Sequence, residues 1–225
     1  MTRLQAELDR LYRHEASSNG RALVLEVVQP VGWDALSLAW QGVQADLELP
    51  APAIAVSGVD AIQLWFSVEA PVDAAQAHAF LDGLRARFLA DVPPARVRTW
   101  PANALARVPA LQATGNWSAF VSPDLITVFS DTPWLDIEPG DEGQATLLRP
   151  LRSIAPKAFA DAIARLREHA QDAPAPAPTR EEPTDAGDDP RAFLLRVMND
   201  ERVDMALRIE AAKALLPGWT PPTCR

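Results

Sequence analysis

The hydrophobic pattern along the chain alternates between the period of a helix and that of a strand. Leu4, Leu8 and Leu11 recur at the spacing of one face of an amphipathic helix. Residues 21–29 form a short, apolar run that ends before Pro30, as a buried strand does. By these criteria, helices are predicted over 2–16, 33–46, 73–91 and 154–169, and strands over 21–29, 53–57, 61–69 and 96–100.

The order of these elements predicts an α+β fold. Residues 21–100 follow the order strand, helix, strand, strand, helix, strand, which is the split βαβ arrangement of a ferredoxin-like domain. Right-handed crossovers place both helices on one face of a four-stranded antiparallel sheet. We therefore expect a main domain over residues 1–170, in which residues 101–150, with their aromatic and turn-forming residues, cover part of the other face.

A change in composition separates this domain from a short C-terminal block. Residues 171–189 are rich in proline, alanine and acidic side chains, which favours an extended linker. Asp189 and Pro190 then supply an N-cap and a first-turn proline for a small helical appendage over residues 190–217. Its apolar positions are candidate contacts for a protein partner: Phe193, Val197, Met198, Met205, Ile209 and Leu216.

The acidic charge of the chain is distributed unevenly. The net charge is −9, and residues 171–190 alone supply six acids against one base. Residues 191–225 hold four acids and six bases. A mildly acidic main domain argues against broad binding to a phosphate backbone, but it is compatible with a local basic groove.

Several features predict a cytoplasmic protein that does not bind membranes. The N-terminal residues lack the apolar core of a signal peptide. No apolar run approaches the ~20 residues that span a bilayer. The single cysteine, Cys224, has no intrachain partner for a disulfide.

A serine-glycine turn joins the two central predicted strands. Ser57 and Gly58 stand in this turn, and Gln63 follows early in the next strand. Together with the first strand, whose acid is Glu26, the hairpin resembles the catalytic core of archaeo-eukaryotic primases and primase-polymerases over residues 21–100. In that family, two acids on the first strand bind divalent metal, and a histidine after the turn contacts nucleotide phosphate.

The residues at the corresponding positions differ from the family pattern. Val28 stands where the second acid would fall, and Gln63 stands at the histidine position. The last strand has no clear match to a third acid. Since one carboxylate cannot hold two Mg²⁺ ions, the resemblance implies a primase-like fold without the metal chemistry. The candidate nucleotide or nucleic-acid contacts are Glu26, Ser57, Gln63, Arg96 and Arg98.

Other polar and aromatic groups allow a structural interpretation beside a functional one. Asp46 and Glu48 form an acid pair at a predicted helix end, and residues 131–142 form an acidic cluster without EF-hand spacing. The tryptophans that are either core anchors or base-stacking platforms are Trp65, Trp100 and Trp117.

The C-terminal block 189–217 resembles a helical segment of phage terminase small-subunit-like proteins, which implies a phage or mobile-element context. Three hypotheses follow for function. The first is a non-catalytic, primase-related accessory protein that binds single-stranded nucleic acid or nucleotide weakly through the open face of the sheet. The second is a protein-interaction module that acts through residues 190–217. The third, a divergent nucleotidyltransferase, is the only one that requires a cofactor, Mg²⁺.

Overall fold

The structure is a computed structural model that describes residues 1–12, 20–30, 32–101 and 108–172, with single positions in the C-terminal block. Those positions are 194, 198, 205, 208, 209 and 212. The chain divides into two compact units, Met1–Pro174 and Ala175–Arg225. The predicted linker beyond residue 172 lies outside the described residues, as do the candidate contacts Phe193, Val197 and Leu216.

The described part of the first unit contains five α-helices and six strands. The helices are α1 (Arg3–Tyr12), α2 (Trp33–Ala45), α3 (Ala74–Phe88), α4 (Asp141–Leu148) and α5 (Pro156–Asp172). The strands are β1 (Gly20–Val28), β2 (Ala53–Val56), β3 (Ala61–Val72), β4 (Val97–Pro101), β5 (Ala110–Leu111) and β6 (Trp117–Val121). Every helix and strand predicted within residues 21–100 is present. β3 runs further than expected, through Pro71 to Val72, before Asp73 caps α3.

The six strands form one open antiparallel sheet in the order β4-β1-β3-β2-β6-β5. The α+β class agrees with the prediction, but the sheet has six strands rather than four. Residues 117–121 were expected to cover a face of the sheet. They lie within it instead, because β6 pairs with β2 and places Phe120 opposite Ala55. Later in the same segment, α4 packs on a face.

One face of the sheet packs against α2, α3 and α5. Alternate residues of a strand point to the same face, and Leu23, Leu25 and Val27 of β1 are buried here. The Phe80 ring of α3 lies 5.3 Å from Phe66 of β3 and 4.9 Å from Phe159 of α5, measured between ring centroids. This face holds the larger of the two apolar cores.

The opposite face is covered by α1 and α4. Tyr12 of α1 packs its ring 5.5 Å from Trp65 of β3 and 6.2 Å from Phe120 of β6. Leu11 and Leu148, from the two helices, are fully buried beside this aromatic cluster. This is the face that was expected to be open for nucleic-acid binding, and that expectation is wrong for its centre, which α1 and α4 close to a flat ligand such as a nucleobase.

A buried glutamine fixes α4 to the sheet. The side-chain amide of Gln144 accepts a hydrogen bond from the N–H of Phe120 at 2.8 Å and donates one to its C=O at 2.9 Å. These are the two bonds that a neighbouring strand would otherwise supply at this point of β6.

Within the described ranges, no helix has the length and apolar character needed to cross a membrane.

Candidate functional site

Three of the five candidate contacts lie side by side across three strands. Glu26 of β1 is in register with Gln63 of β3 on one side and with Arg98 of β4 on the other. Directly opposed residues of antiparallel strands project to the same face. We refer to Glu26, Gln63 and Arg98 as the polar row.

The Glu26 carboxylate is the centre of the polar row and is only 4% exposed. One of its oxygens accepts a hydrogen bond from Nε2 of Gln63 at 2.6 Å, and the other accepts one from Nη1 of Arg98 at 3.0 Å. The Gln63 carbonyl oxygen accepts in turn from the indole N–H of Trp65 at 2.8 Å. Among the described residues, no buried side-chain polar atom lacks a partner. The carboxylate is thus held by protein donors on both oxygens.

The Arg98 guanidinium joins this buried acid to a more exposed one. Its second nitrogen, Nη2, lies 3.5 Å from Oδ2 of Asp60. The side chains of Arg98 and Asp60 are 46% and 38% exposed, against 6% for that of Glu26. A permanently charged group therefore stands between two carboxylates, in the position that a bound cation would favour.

Arg96 lies at the same end of the sheet but outside the polar row. Its guanidinium donates a hydrogen bond to the carbonyl of Gln29. The N–H of Gln29 donates to the carbonyl of Asp60 at 2.9 Å, which links Arg96 to the acid that Arg98 contacts. Further along β4, Trp100 is 37% exposed. Since alternate strand residues share a face, Arg98 and Trp100 point the same way along this sheet edge.

Ser57 has a structural role in the turn and does not join the polar row. Its hydroxyl accepts hydrogen bonds from the backbone N–H groups of Val59, Asp60 and Ala61 at 3.2, 3.1 and 2.9 Å. These bonds close the turn between β2 and β3. Ser57 therefore acts indirectly, by fixing the loop from which Asp60 reaches Arg98.

The acid pair after α2 binds to neighbouring helices. The Asp46 carboxylate lies 2.9 Å from the Arg87 guanidinium of α3, and the Glu48 carboxylate lies 2.8 Å from that of Arg165 on α5. These contacts support the structural interpretation of the pair, because each acid already has a basic partner.

The remaining candidates divide between core and surface. Trp65 is a core residue, 5% exposed, whereas Trp117 is half-buried. In the acidic cluster, Asp141 and Glu142 occupy the first turn of α4, where the helix dipole favours negative charge. The other three acids of the cluster, Asp131, Asp136 and Glu138, are exposed. Nowhere in the described ranges do three histidine, cysteine or acidic side chains group so that they could hold a metal ion.

The described positions of the second unit are helical, and a hydrogen bond joins two of them. The Arg208 side chain donates from Nε to the carbonyl of Met198 at 3.0 Å, which links two parts of this unit. Met205 and Ile209, one helical turn apart, are 63% and 47% exposed. Two of the predicted partner contacts are therefore open to solvent.

Asp60 and Gln144 were not identified from the sequence. A signal for Asp60 was available, since the turn between β2 and β3 lies at the sheet end where β1 finishes and β4 begins. Any acid in that turn is close to an arginine near the start of β4. Gln144 carried no such signal, because a glutamine in the middle of a short helix has no distinctive pattern.

Comparison with known proteins identifies no relative of this chain. No protein-family model matches the chain, and no curated protein or solved structure is significantly similar to it. The assignment of a function therefore depends on the residues and their geometry.

Proposed function

We propose that the chain is a non-catalytic, primase-related accessory protein of a phage or mobile element that binds single-stranded nucleic acid or nucleotide weakly and without metal. The observation that carries the proposal is the polar row. An acid, an amide and an arginine from three strands meet where the primase resemblance would assign the contacts to metal and phosphate, and the acid is paired with the arginine.

The strand order supports a primase-like core. Strands β4, β1, β3 and β2 are neighbours in that order, and each adjacent pair is antiparallel. With α2 and α3 on one face, this order supports a ferredoxin-like βαββαβ unit. We include that unit in the proposal, with β6 and β5 as an extension of its sheet.

The state of Glu26 supports the absence of metal-dependent catalysis. A metal-assisted phosphoryl transfer needs carboxylate oxygens that are available to the ion. Both Glu26 oxygens accept hydrogen bonds from protein donors instead. The positive charge that phosphate requires is supplied by the guanidinium of Arg98.

The exposed edge strand β4 and the residue directly before it, Arg96, supply the groups for weak binding. Arg96 and Arg98 offer guanidinium donors to phosphate, and Trp100 offers an exposed ring for stacking of a base. The nearby acids Glu26 and Asp60 offset the two arginines, so that the region is formally neutral. We therefore expect few phosphate contacts and modest affinity.

A titration of fluorescently labelled single-stranded DNA with the full chain tests the proposal. We expect binding that does not change when Mg²⁺ is replaced by chelator, with a salt dependence of about −0.7 in log K per phosphate contact over one or two contacts. The double variant Arg96→Gln/Trp100→Ala leaves the polar row intact and should weaken binding by about tenfold, since stacking alone is worth ~1–3 kcal/mol per base. Arg152→Gln, an exposed arginine between α4 and α5, is the matched control and should bind normally.

Two results would count against this function. Binding that is absent, or insensitive to salt, would remove the nucleic-acid role. Mg²⁺-dependent incorporation of nucleotides would instead favour the divergent nucleotidyltransferase, whose second carboxylate has no assigned position.

The exposed apolar residues of the second unit favour one alternative, a protein-interaction module. Met205 and Ile209 offer apolar side chains to a partner at helical spacing. This alternative predicts that Met205→Ser/Ile209→Ser abolishes co-purification of a partner protein and leaves DNA binding unchanged. Loss of both functions together would contradict a separate role for this unit.

A further inference from the structure

A second surface of the first unit lies near the β5 edge of the sheet and has an apolar character. Leu111 of β5 is directly opposite Trp117 of β6. Trp117 is also paired with Leu135, through backbone hydrogen bonds of 2.8 and 3.0 Å. Opposed residues share a face, so these side chains form a row. We call these three residues, together with the exposed Ile137 that lies two positions after Leu135 in the chain, the apolar strip.

The apolar strip runs from the core out into solvent. Leu135 packs against the larger core and is half-buried, as is Trp117. Leu111 is 59% exposed and Ile137 is 76% exposed. Apolar side chains grouped at a surface and rimmed by polar residues mark sites of interaction with other proteins.

The chain segment that carries the apolar strip is acidic. Residues 108–148 contain six acids and no lysine or arginine. Asp136 stands between Leu135 and Ile137, Glu138 follows directly, and both are exposed. Arg3 pairs with Glu142 at 3.1 Å, at the α4 end of this segment. The acids closest in sequence to the strip are thus placed to meet cations from outside.

We propose that the apolar strip docks a basic amphipathic segment of a partner protein. Aliphatic side chains of that segment pack on Leu111, Trp117 and Ile137, and its lysine or arginine residues face Asp136 and Glu138. The charge selects this occupant: phosphate of a nucleic acid is repelled by the acids, and a second copy of the strip brings the same acids into opposition. The inference is independent of the DNA-binding proposal, because it uses a different part of the sheet.

Fluorescence anisotropy with labelled model peptides tests the docking surface on the full chain. The probes are a helical peptide of leucine and lysine with one apolar face, the same peptide with glutamate for lysine, and a lysine homopolymer of equal length. We expect binding of the leucine-lysine peptide alone. The exposed double variant Leu111→Ser/Ile137→Ser should weaken it at least about tenfold, as expected when two apolar anchors are lost.

Controls separate this surface from general attraction. Leu38→Ser, at a 57% exposed leucine on α2, should leave peptide binding unchanged. Asp136→Asn/Glu138→Gln should weaken binding and reduce its sensitivity to salt. The inference is overturned if the leucine-lysine peptide does not bind, if the lysine homopolymer binds equally well, or if Leu38→Ser has the same effect as the strip variant. It is also overturned if light scattering shows a dimer that Leu111→Ser/Ile137→Ser dissociates, because a second copy would then be the occupant.

Discussion

The turn between β2 and β3 depends on one glycine that has no room for a side chain. Gly58 has a φ of 81°, and a Cβ there would lie 2.7 Å from the Ser118 nitrogen and 2.9 Å from the Trp117 carbonyl carbon. Gly115 has a φ of 87°, but its Cβ would meet nothing within 4 Å. We predict that Gly115→Ala lowers the free energy of unfolding by about 1 kcal/mol, the cost of the left-handed conformation. Gly58→Ala should cost at least about 2 kcal/mol more, because backbone atoms must also shift.

Urea denaturation of the two variants checks this difference, and equal losses would contradict the crowding at Gly58.

The turn itself could be predicted from Ser57 and Gly58. Its contact with β6 could not, since β6 lies far along the chain. The polar row shows the same limit. Its members were singled out from the sequence, but a slip of one residue between β1 and β4 would send Arg98 to the opposite face from Glu26. The sequence of neither strand alone determines the pairing register.

Docking of α1 on the sheet buries the only tyrosine of the chain. Burial raises the pKa of the Tyr12 phenol well above its ordinary value, an effect that the Arg10 charge partly offsets. Above a pH of about 10, the unfolded chain loses this proton while the folded chain keeps it. The unfolded state then binds fewer protons, so stability falls as pH rises. We predict that the ultraviolet absorbance of tyrosinate appears only as the protein unfolds, and that Tyr12→Phe removes this part of the alkaline loss of stability.

Tyrosinate absorbance near its ordinary pH in a chain that retains its circular dichroism would show that α1 does not bury the phenol.

The helices and strands of residues 21–100 followed from hydrophobic period. β5 and β6 did not, for a physical reason. β5 has two residues, Ala110 and Leu111, too few for any period to show. Strands at or near a sheet edge take their identity from the neighbour with which they pair, and turn formers surround β6.

The two apolar cores found among the described residues lie within the first compact unit. Their buried members extend from Leu4 to Leu166, inside Met1–Pro174. We predict that a chain ending at Pro174 folds cooperatively. It should unfold in a single thermal transition, and the van't Hoff enthalpy from circular dichroism should equal the enthalpy measured by calorimetry. A broad transition without near-ultraviolet dichroism would show that the unit lacks a packed core on its own.

The acidic segment of the first unit can be recognised from the sequence, whereas its position beside the apolar strip depends on strand pairing. The absence of lysine and arginine in residues 108–148 is visible in the sequence alone. That this acidic stretch borders an apolar strip became apparent only from the pairing of Leu111 with Trp117 and of Trp117 with Leu135. Residues that are separated along the chain are brought side by side there by backbone pairing.

Trp65 takes part both in the hydrogen bonds of the polar row and in the aromatic cluster under α1. Its indole N–H donates to Gln63 of the polar row, while its ring lies 5.5 Å from Tyr12 and 5.7 Å from Phe120. A ligand that draws Arg98 away from Glu26 changes the hydrogen bonding behind Gln63 and hence the electronic surroundings of this indole. The Trp65 contribution to the near-ultraviolet dichroism, taken as the difference from a Trp65→Phe variant because the chain has seven tryptophans, should therefore respond both to a ligand at the sheet edge and to displacement of the N-terminal helix.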